Sequence, residues 1–226
     1  RLNHTGTHLL HKALKIVLGE EVQQAGSLVS DDYLRFDFTH YNKVNIKQIN
    51  QIEDIINDII RKNITLQTKV EDFDQAKKEG AVALFGEKYN DKVRVVNVDG
   101  FSKELCGGTH VESTGKIGVF KILSESSLAS GIRRIEAYTG EKAFLFMRDK
   151  LILNNSIQNL LMCNEEDIVD KINSINLSNK KFKKEIMQLN ILKAQQEINN
   201  SIKKNIITVK DKKILIDTIN IDLSPQ

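Results

Sequence analysis

Apolar residues recur at three- and four-residue intervals over residues 2–18, where Leu9, Leu10, Ala13, Leu14, Val17 and Leu18 share one side of a helix that Gly19 closes. A second amphipathic stretch, residues 46–63, carries Ile49, Ile52, Ile55, Ile56, Ile59 and Ile60 on its apolar face. Between the two the period shortens. Residues 22–29 and 33–38 predict a hairpin about Ser30-Asp31-Asp32, with Leu34, Phe36 and Phe38 facing one way and Arg35, Asp37 and Thr39 the other. Residues 64–70, 93–98, 118–124 and 132–138 predict further strands, the last two as antiparallel neighbours. Residues 72–78 predict a short helix capped by Asp72 and stopped near Gly80. The elements are mixed rather than strictly alternating, which points to an α+β fold.

The pattern changes after Gly140. Residues 141–162 and 165–204 contain neither proline nor glycine. Ala143, Phe144, Met147, Leu151, Leu160 and Leu161 continue one apolar stripe. Ile168, Ile172, Ile175, Phe182, Ile186, Leu189 and Leu192 make the next, and the spacing predicts a long helical hairpin or coiled coil. Beyond Leu192 the seam decays into Gln195, Gln196 and Asn199. The lysine run 180–184 reads as a solvated face of this helix. Residues 206–209 and 213–219 predict a small hairpin about Lys210-Asp211-Lys212 without a core of its own. The expected organisation is a core domain over residues 1–140, a helical segment over 141–205 and the truncated start of another globular domain over 206–226.

Composition narrows this picture only slightly. The 226 residues are 28% charged and 40% hydrophobic, the balance of a soluble globular protein, and a net charge of +3 is too small to prove a nucleic-acid partner. No uninterrupted apolar run approaches the ~20 residues of a membrane span, and no signal pattern opens the chain. Arg1 is not an initiator methionine, so a piece or processed product of a longer protein is expected. Two widely separated cysteines suit a reducing, cytoplasmic setting rather than a disulfide framework, and Cys163, just past an apolar run, reads as buried and inert.

Two short motifs a hundred residues apart carry the candidate chemistry. His4 and His8 are four apart on the first helix, hence one turn apart on one face, and Cys106 and His110 repeat the spacing in the loop after the strand at 93–98. Three imidazoles and a thiolate form a complete ligand set for tetrahedral zinc. Four protein ligands would suit a structural ion and an exchangeable position a catalytic one; the sequence leaves both open. His11 reads as a bystander. Gly107 and Gly108 suggest a tight turn and close approach of backbone to ligand.

The same stretches carry a family resemblance. Residues 4–11 (HTGTHLLH), 23–29 (QQAGSLV), 34–38 (LRFDF), 83–89 (ALFGEKY), 104–110 (ELCGGTH) and 131–136 (GIRRIE) resemble, in order and interval, the editing domain of alanyl-tRNA synthetases. The His-x-x-x-His and Cys-x-x-x-His halves are shared with the threonyl enzymes. The resemblance implies a zinc-containing two-layer editing domain that hydrolyses Ser or Gly wrongly esterified to tRNA(Ala), a second sieve where direct discrimination between small amino acids yields little. It implies that the terminal adenosine of the tRNA acceptor end enters the metal pocket, that Cys106 belongs to the catalytic centre, and that Gln24 positions substrate or water. Thr5, Thr7 and Thr109 offer hydroxyls near the ion. It also implies that an aminoacylation half and a barrel lie upstream of this region, the barrel carrying a Gly-rich block that completes the pocket.

Arg133 and Arg134 interrupt an apolar strand. They read either as contacts to tRNA phosphates, in a patch with Lys88, Arg94 and Lys116, or as ordinary ion pairs with Glu136 or Asp37. Three functional readings stand: the editing region of a synthetase whose helical segment supports a homodimer, a free-standing alanyl-tRNA editing protein, and a non-catalytic zinc-stabilised oligomerisation module.

Overall fold

A computed structural model describes residues 1–83 and 89–215. It divides the chain into two compact units, 1–151 and 152–226. In the first unit, helix α1 (Leu2–Leu18) is followed by the hairpin β1 (Gln24–Val29) and β2 (Leu34–Thr39), then helix α2 (Ile46–Arg61). Strand β3 (Leu66–Asp72), helix α3 (Phe73–Lys78), β4 (Lys92–Val98) and β5 (Ser102–Leu105) come next. The long pair β6 (Phe120–Ala129) and β7 (Ile132–Thr139) completes the strands, and helix α4 (Gly140–Leu161) begins in this unit.

Two antiparallel sheets result, one ordered β1-β2-β7-β6 and the other β3-β4-β5. Helices α1 and α2 cover the larger sheet. Leu9, Leu10, Ala13 and Leu14 of α1 and Ile52, Ile56, Ile59 and Ile60 of α2 meet Leu34, Phe36, Phe38, Phe120, Ile122, Ile135 and Ala137, all buried. Gly6 makes the close approach of α1 possible: a β-carbon there would stand 3.0 Å from Thr139 Cγ2 and 3.2 Å from Leu34 Cδ2. Asn3 then ties the start of α1 to its surroundings, its amide donating to Ser30 O (2.8 Å) and its oxygen accepting from the Thr139 hydroxyl (2.6 Å).

The start of β6 pairs with β7 on one edge and is held on its other edge by side chains of α2. Asn57 donates to Phe120 O and accepts from Phe120 N, both at 2.9 Å, and buried Glu53 accepts from Ile122 N at 2.6 Å and from Lys121 at 2.7 Å. These bonds satisfy backbone groups that burial would otherwise leave unpaired. The smaller sheet has its own core, in which Val93 and Val95 of β4 and Leu105 of β5 pack with Ala76 and Ala81 beside Phe73. Asp72 does stand at the N-cap of α3, but its side chain makes no capping hydrogen bond. Strand β5, absent from the sequence expectation, is only four residues long and shows no clear alternation.

In the second unit, α5 (Ile168–Asn205) is one continuous helix, followed by the hairpin β8 (Ile206–Val209) and β9 (Lys212–Leu215). Lys210 and Asp211 make its turn with positive φ. The apolar stripe expected to form a helix–helix seam is exposed here: Ile172, Ile175, Phe182, Ile186, Leu189 and Leu192 all face solvent in the isolated chain. Cys163 is partly exposed rather than buried, because it follows α4 in a short turn without a covering core. Residues 84–88 of the block at 83–89 and residues 216–219 of the strand expected over 213–219 lie outside the described residues. Among the described residues, no helix is long and apolar enough to cross a membrane.

Candidate metal centre

The first turns of α1 and the loop after β5 meet. Strand β4 anchors that loop: Cys106 N donates to Arg94 O, and the Arg94 guanidinium donates to Cys106 O (2.8 Å) and Gly108 O (2.5 Å). Arg94 therefore serves the loop's carbonyls instead of extending a surface patch.

The spacing expected from sequence becomes a cluster. One ligand atom from each of His4, His8, Cys106 and His110 lies within 4.8 Å of the others. Cys106 Sγ is 3.4 Å from His4 Nε2 and 3.3 Å from His110 Nε2. In a tetrahedral zinc site, ordinary Zn–S and Zn–N lengths put sulfur and nitrogen about 3.6 Å apart, close to what these residues already adopt. The His8 Nδ1–H donates to Glu104, and its Nε2 is buried without a hydrogen-bond partner, the state of a nitrogen left for a ligand. His110 Nδ1 lies 3.2 Å from the Thr5 hydroxyl, which also accepts Val111 N–H. The donor set, its spacing and the free Nε2 all fit a zinc ion.

The electrostatics supply a thiolate but leave on His8 a proton that an ion would have to displace. Burial opposes charge on Cys106, but the imidazoles of His110, His4 and His8 more than offset it and lower the thiol pKa to about 3, so the sulfur is a thiolate. Burial likewise opposes charge on His8, yet the Glu104 carboxylate beside it raises the imidazole pKa to about 10. Glu104, despite its own burial, is held down at about 2 by His8 and His11. His110 is shifted downward, first by burial and then by the neighbouring imidazoles.

Glu104 and His11 are the members that the sequence reading missed. His11 is not a bystander: it is buried and its Nδ1 is 3.2 Å from Glu104 Oε1. The available signal was its position one turn beyond His8 on α1, facing an acid two residues before Cys106. Thr7 does not reach the cluster, since its hydroxyl donates to Asn3 O within the helix (2.9 Å). Thr109 is exposed next to His110, and exposed Gly107 flanks Cys106, so one side of the cluster opens to solvent. Gln24, on the edge strand β1, donates to the Ser27 hydroxyl at 3.2 Å.

The two arginines of β7 are engaged with acids. Arg134 makes a two-pronged pair with Asp37 (2.7 and 2.9 Å), as one alternative anticipated. Arg133 pairs with Glu125 across the β6–β7 hairpin and not with Glu136. Lys116 is exposed, and Lys88 lies outside the described residues.

Comparison with known proteins agrees with this architecture. Residues 93–136, which include Glu104, Cys106 and His110, match the threonyl and alanyl tRNA synthetase second additional domain. Alanine--tRNA ligases of Thermoanaerobacter sp. (strain X514) and Thermoanaerobacter pseudethanolicus (strain ATCC 33223 / 39E) are each 48% identical to the chain over 217 residues, 96% of its length. The chain is a relative of the alanine--tRNA ligases. It spans 25% of the length of each of these two relatives. The mixed α/β unit with a long helix after it is therefore an editing-type domain of the synthetase kind, as the sequence motifs implied.

Proposed function

We propose that this region is the proofreading site of an alanyl-tRNA synthetase, a hydrolase centre that deacylates Ser-tRNA(Ala) and Gly-tRNA(Ala). The observation that carries the reading is the four-residue cluster of His4, His8, Cys106 and His110, open to solvent on one side, in a chain related to alanine--tRNA ligases. These four residues would hold one zinc ion, which when bound supplies Lewis acidity and a fixed positive charge against the aminoacyl group. The chain's own residues do the rest. Arg94 sets the loop, Thr5 and Glu104 orient two of the imidazoles, and exposed Thr109 offers a hydroxyl where the acceptor end of tRNA(Ala) would enter. Gln24 is the candidate for placing substrate or water from β1. The ester is already activated and carries a neighbouring ribose hydroxyl, so positioning can suffice without a strong general base.

The exposed apolar stripe of α5 supports an accompanying proposal, self-association of the parent protein as a homodimer through the helical segment in a cytoplasmic setting. Arg133 and Arg134 serve this reading by shaping the sheet, their guanidinium groups being held by Glu125 and Asp37.

The test uses the full-length parent protein. Cys106→Ala is expected to remove the bound metal and abolish deacylation of Ser-tRNA(Ala) while leaving alanine charging intact. Clearance of Ser-tRNA(Ala) at the wild-type rate by that variant refutes the site.

A further inference from the structure

Glu104 lies behind the cluster and is one of the most enclosed carboxylates in the chain, its side chain 7% exposed. Its two oxygens are divided between two imidazoles of one helix: Oε2 accepts from His8 Nδ1, and Oε1 stands 3.2 Å from His11 Nδ1. His8 and His11 are three residues apart on α1, so their rings project from the same side toward β5. A carboxylate can only accept, so each Nδ1 facing it must carry the hydrogen. For a neutral His8 this fixes the lone pair on Nε2, the buried nitrogen without a partner that faces the cluster.

We propose that Glu104 is a positioning residue for metal ligation, fixing the tautomer and ring orientation of His8, and that His11 anchors the second oxygen so that the carboxylate cannot turn away. The inference rests on the metal-site reading given above. A ligand imidazole that is free to rotate or to move its proton to Nε2 presents the wrong atom for part of the time, and its affinity for the ion falls accordingly. Among the described residues no carboxylate supports His4, whose ring meets Cys106 and the backbone of Gly108. His8 is thus held by a carboxylate outside the ligand set, as His110 is by the Thr5 hydroxyl. The presence of His11 also explains why a charged group is tolerated at this depth, since both oxygens are satisfied and no lone acid is left in the core.

The experiment measures zinc affinity of the 226-residue chain by competition with a chromophoric chelator, for wild type, Glu104→Gln and His11→Ala. The melting temperature of each ion-free protein and the absorption of each Co²⁺-loaded form are recorded alongside. Glu104→Gln is expected to weaken zinc binding by about 10- to 100-fold. Its Co²⁺ spectrum should retain the thiolate band of Cys106, while the ligand-field bands change as His8 loses its fixed orientation. His11→Ala is expected to weaken binding by a smaller factor in the same direction, and it keeps the proposal testable if Glu104→Gln does not fold. Zinc affinity and Co²⁺ spectra indistinguishable from wild type in the folded variants, with only the melting temperature lowered, would show a purely structural role and overturn the inference. A wild-type chain that takes up no zinc overturns the metal reading itself, whereas normal wild-type uptake with unaffected variants overturns this inference alone.

Discussion

The His4 ring lies against the backbone of Gly108, so closely that a β-carbon at position 108 would fall inside the van der Waals surface of the imidazole, with Cε1 nearest. Gly107, its neighbour, has open space in the same direction. Gly108 has no positive φ, so its need for glycine is one of contact and not of backbone conformation. Gly108→Ala is expected to push His4 off Cys106 and weaken zinc binding by ~10-fold or more, the range for disturbing the support of a ligand. Gly107→Ala should change affinity by less than about twofold, a surface change without contacts. Chelator competition on both variants checks the contrast.

The pair Arg133–Glu125 separates a structural role from a role in RNA contact. Both side chains are largely buried, at 12% and 6% exposure; Glu125 Oε1 accepts from the Arg133 guanidinium and, at 3.4 Å, from Val44 N, while its Oε2 has no hydrogen-bond partner among the described residues. Removing the guanidinium leaves an enclosed carboxylate without its countercharge, held only by the long Val44 N–H bond. Arg133→Ala is therefore expected to cost on the order of 3 kcal/mol in urea unfolding of the ion-free chain. An unchanged urea midpoint together with a loss of tRNA affinity would assign Arg133 to the phosphate backbone instead.

The helices and the large sheet were legible because each carries a one-sided pattern that folding uses directly. Ile52, Ile56, Ile59 and Ile60 are buried where the period predicts, as are Leu34, Phe36 and Phe38. The cluster of four candidate ligands was legible because their spacing is local, two pairs each four residues apart. Glu104 and His11 were not, because their pairing joins residues 93 apart and depends on which face of α1 meets β5. For the same reason the sequence left Arg133 and Arg134 between two readings: the register of β6 on β7 decides that Glu125 lies opposite Ile135 and within reach of Arg133. The stripe on α5 illustrates the opposite limit. Its spacing is clear, but a seam needs a second surface, and a period alone does not supply one.

Truncation of the chain after Leu151 tests how far the metal centre depends on the second unit. All four candidate ligands, Glu104 and His11 behind them, and the two buried cores lie within residues 1–151. The shortened protein is expected to bind zinc within about twofold of the full chain, the effect of changes remote from a site. It should lose the large helical circular dichroism signal of α5. Loss of zinc binding with an otherwise folded core would contradict this independence.

The pH dependence follows from the His8–Glu104 pair, and its sign differs with and without the ion. In the ion-free protein Glu104 is depressed from 4.5 to about 2, so its contribution to stability is complete above 4.5 and is lost as pH falls toward 2. His8 is raised from 6.5 to about 10, so its contribution is complete below 6.5 and is lost as pH rises through 10. Both shifts describe one interaction, which is at full strength between 4.5 and 6.5. The urea midpoint of EDTA-treated wild type, measured relative to Glu104→Gln, should be highest in that window and decline on both sides. With zinc the alkaline limb reverses. Metal must take the Nε2 position that a proton holds on His8, while Cys106, with a pKa of about 3, is already ionised. Apparent zinc affinity should therefore rise by about tenfold per pH unit from pH 6.5 until the slope flattens near pH 10, one proton being displaced per ion. Zinc titrations at several pH values, with proton release followed in weakly buffered solution, read this slope directly. A slope near zero would mean that His8 is already neutral in the ion-free site and that Glu104 binds it as a neutral donor.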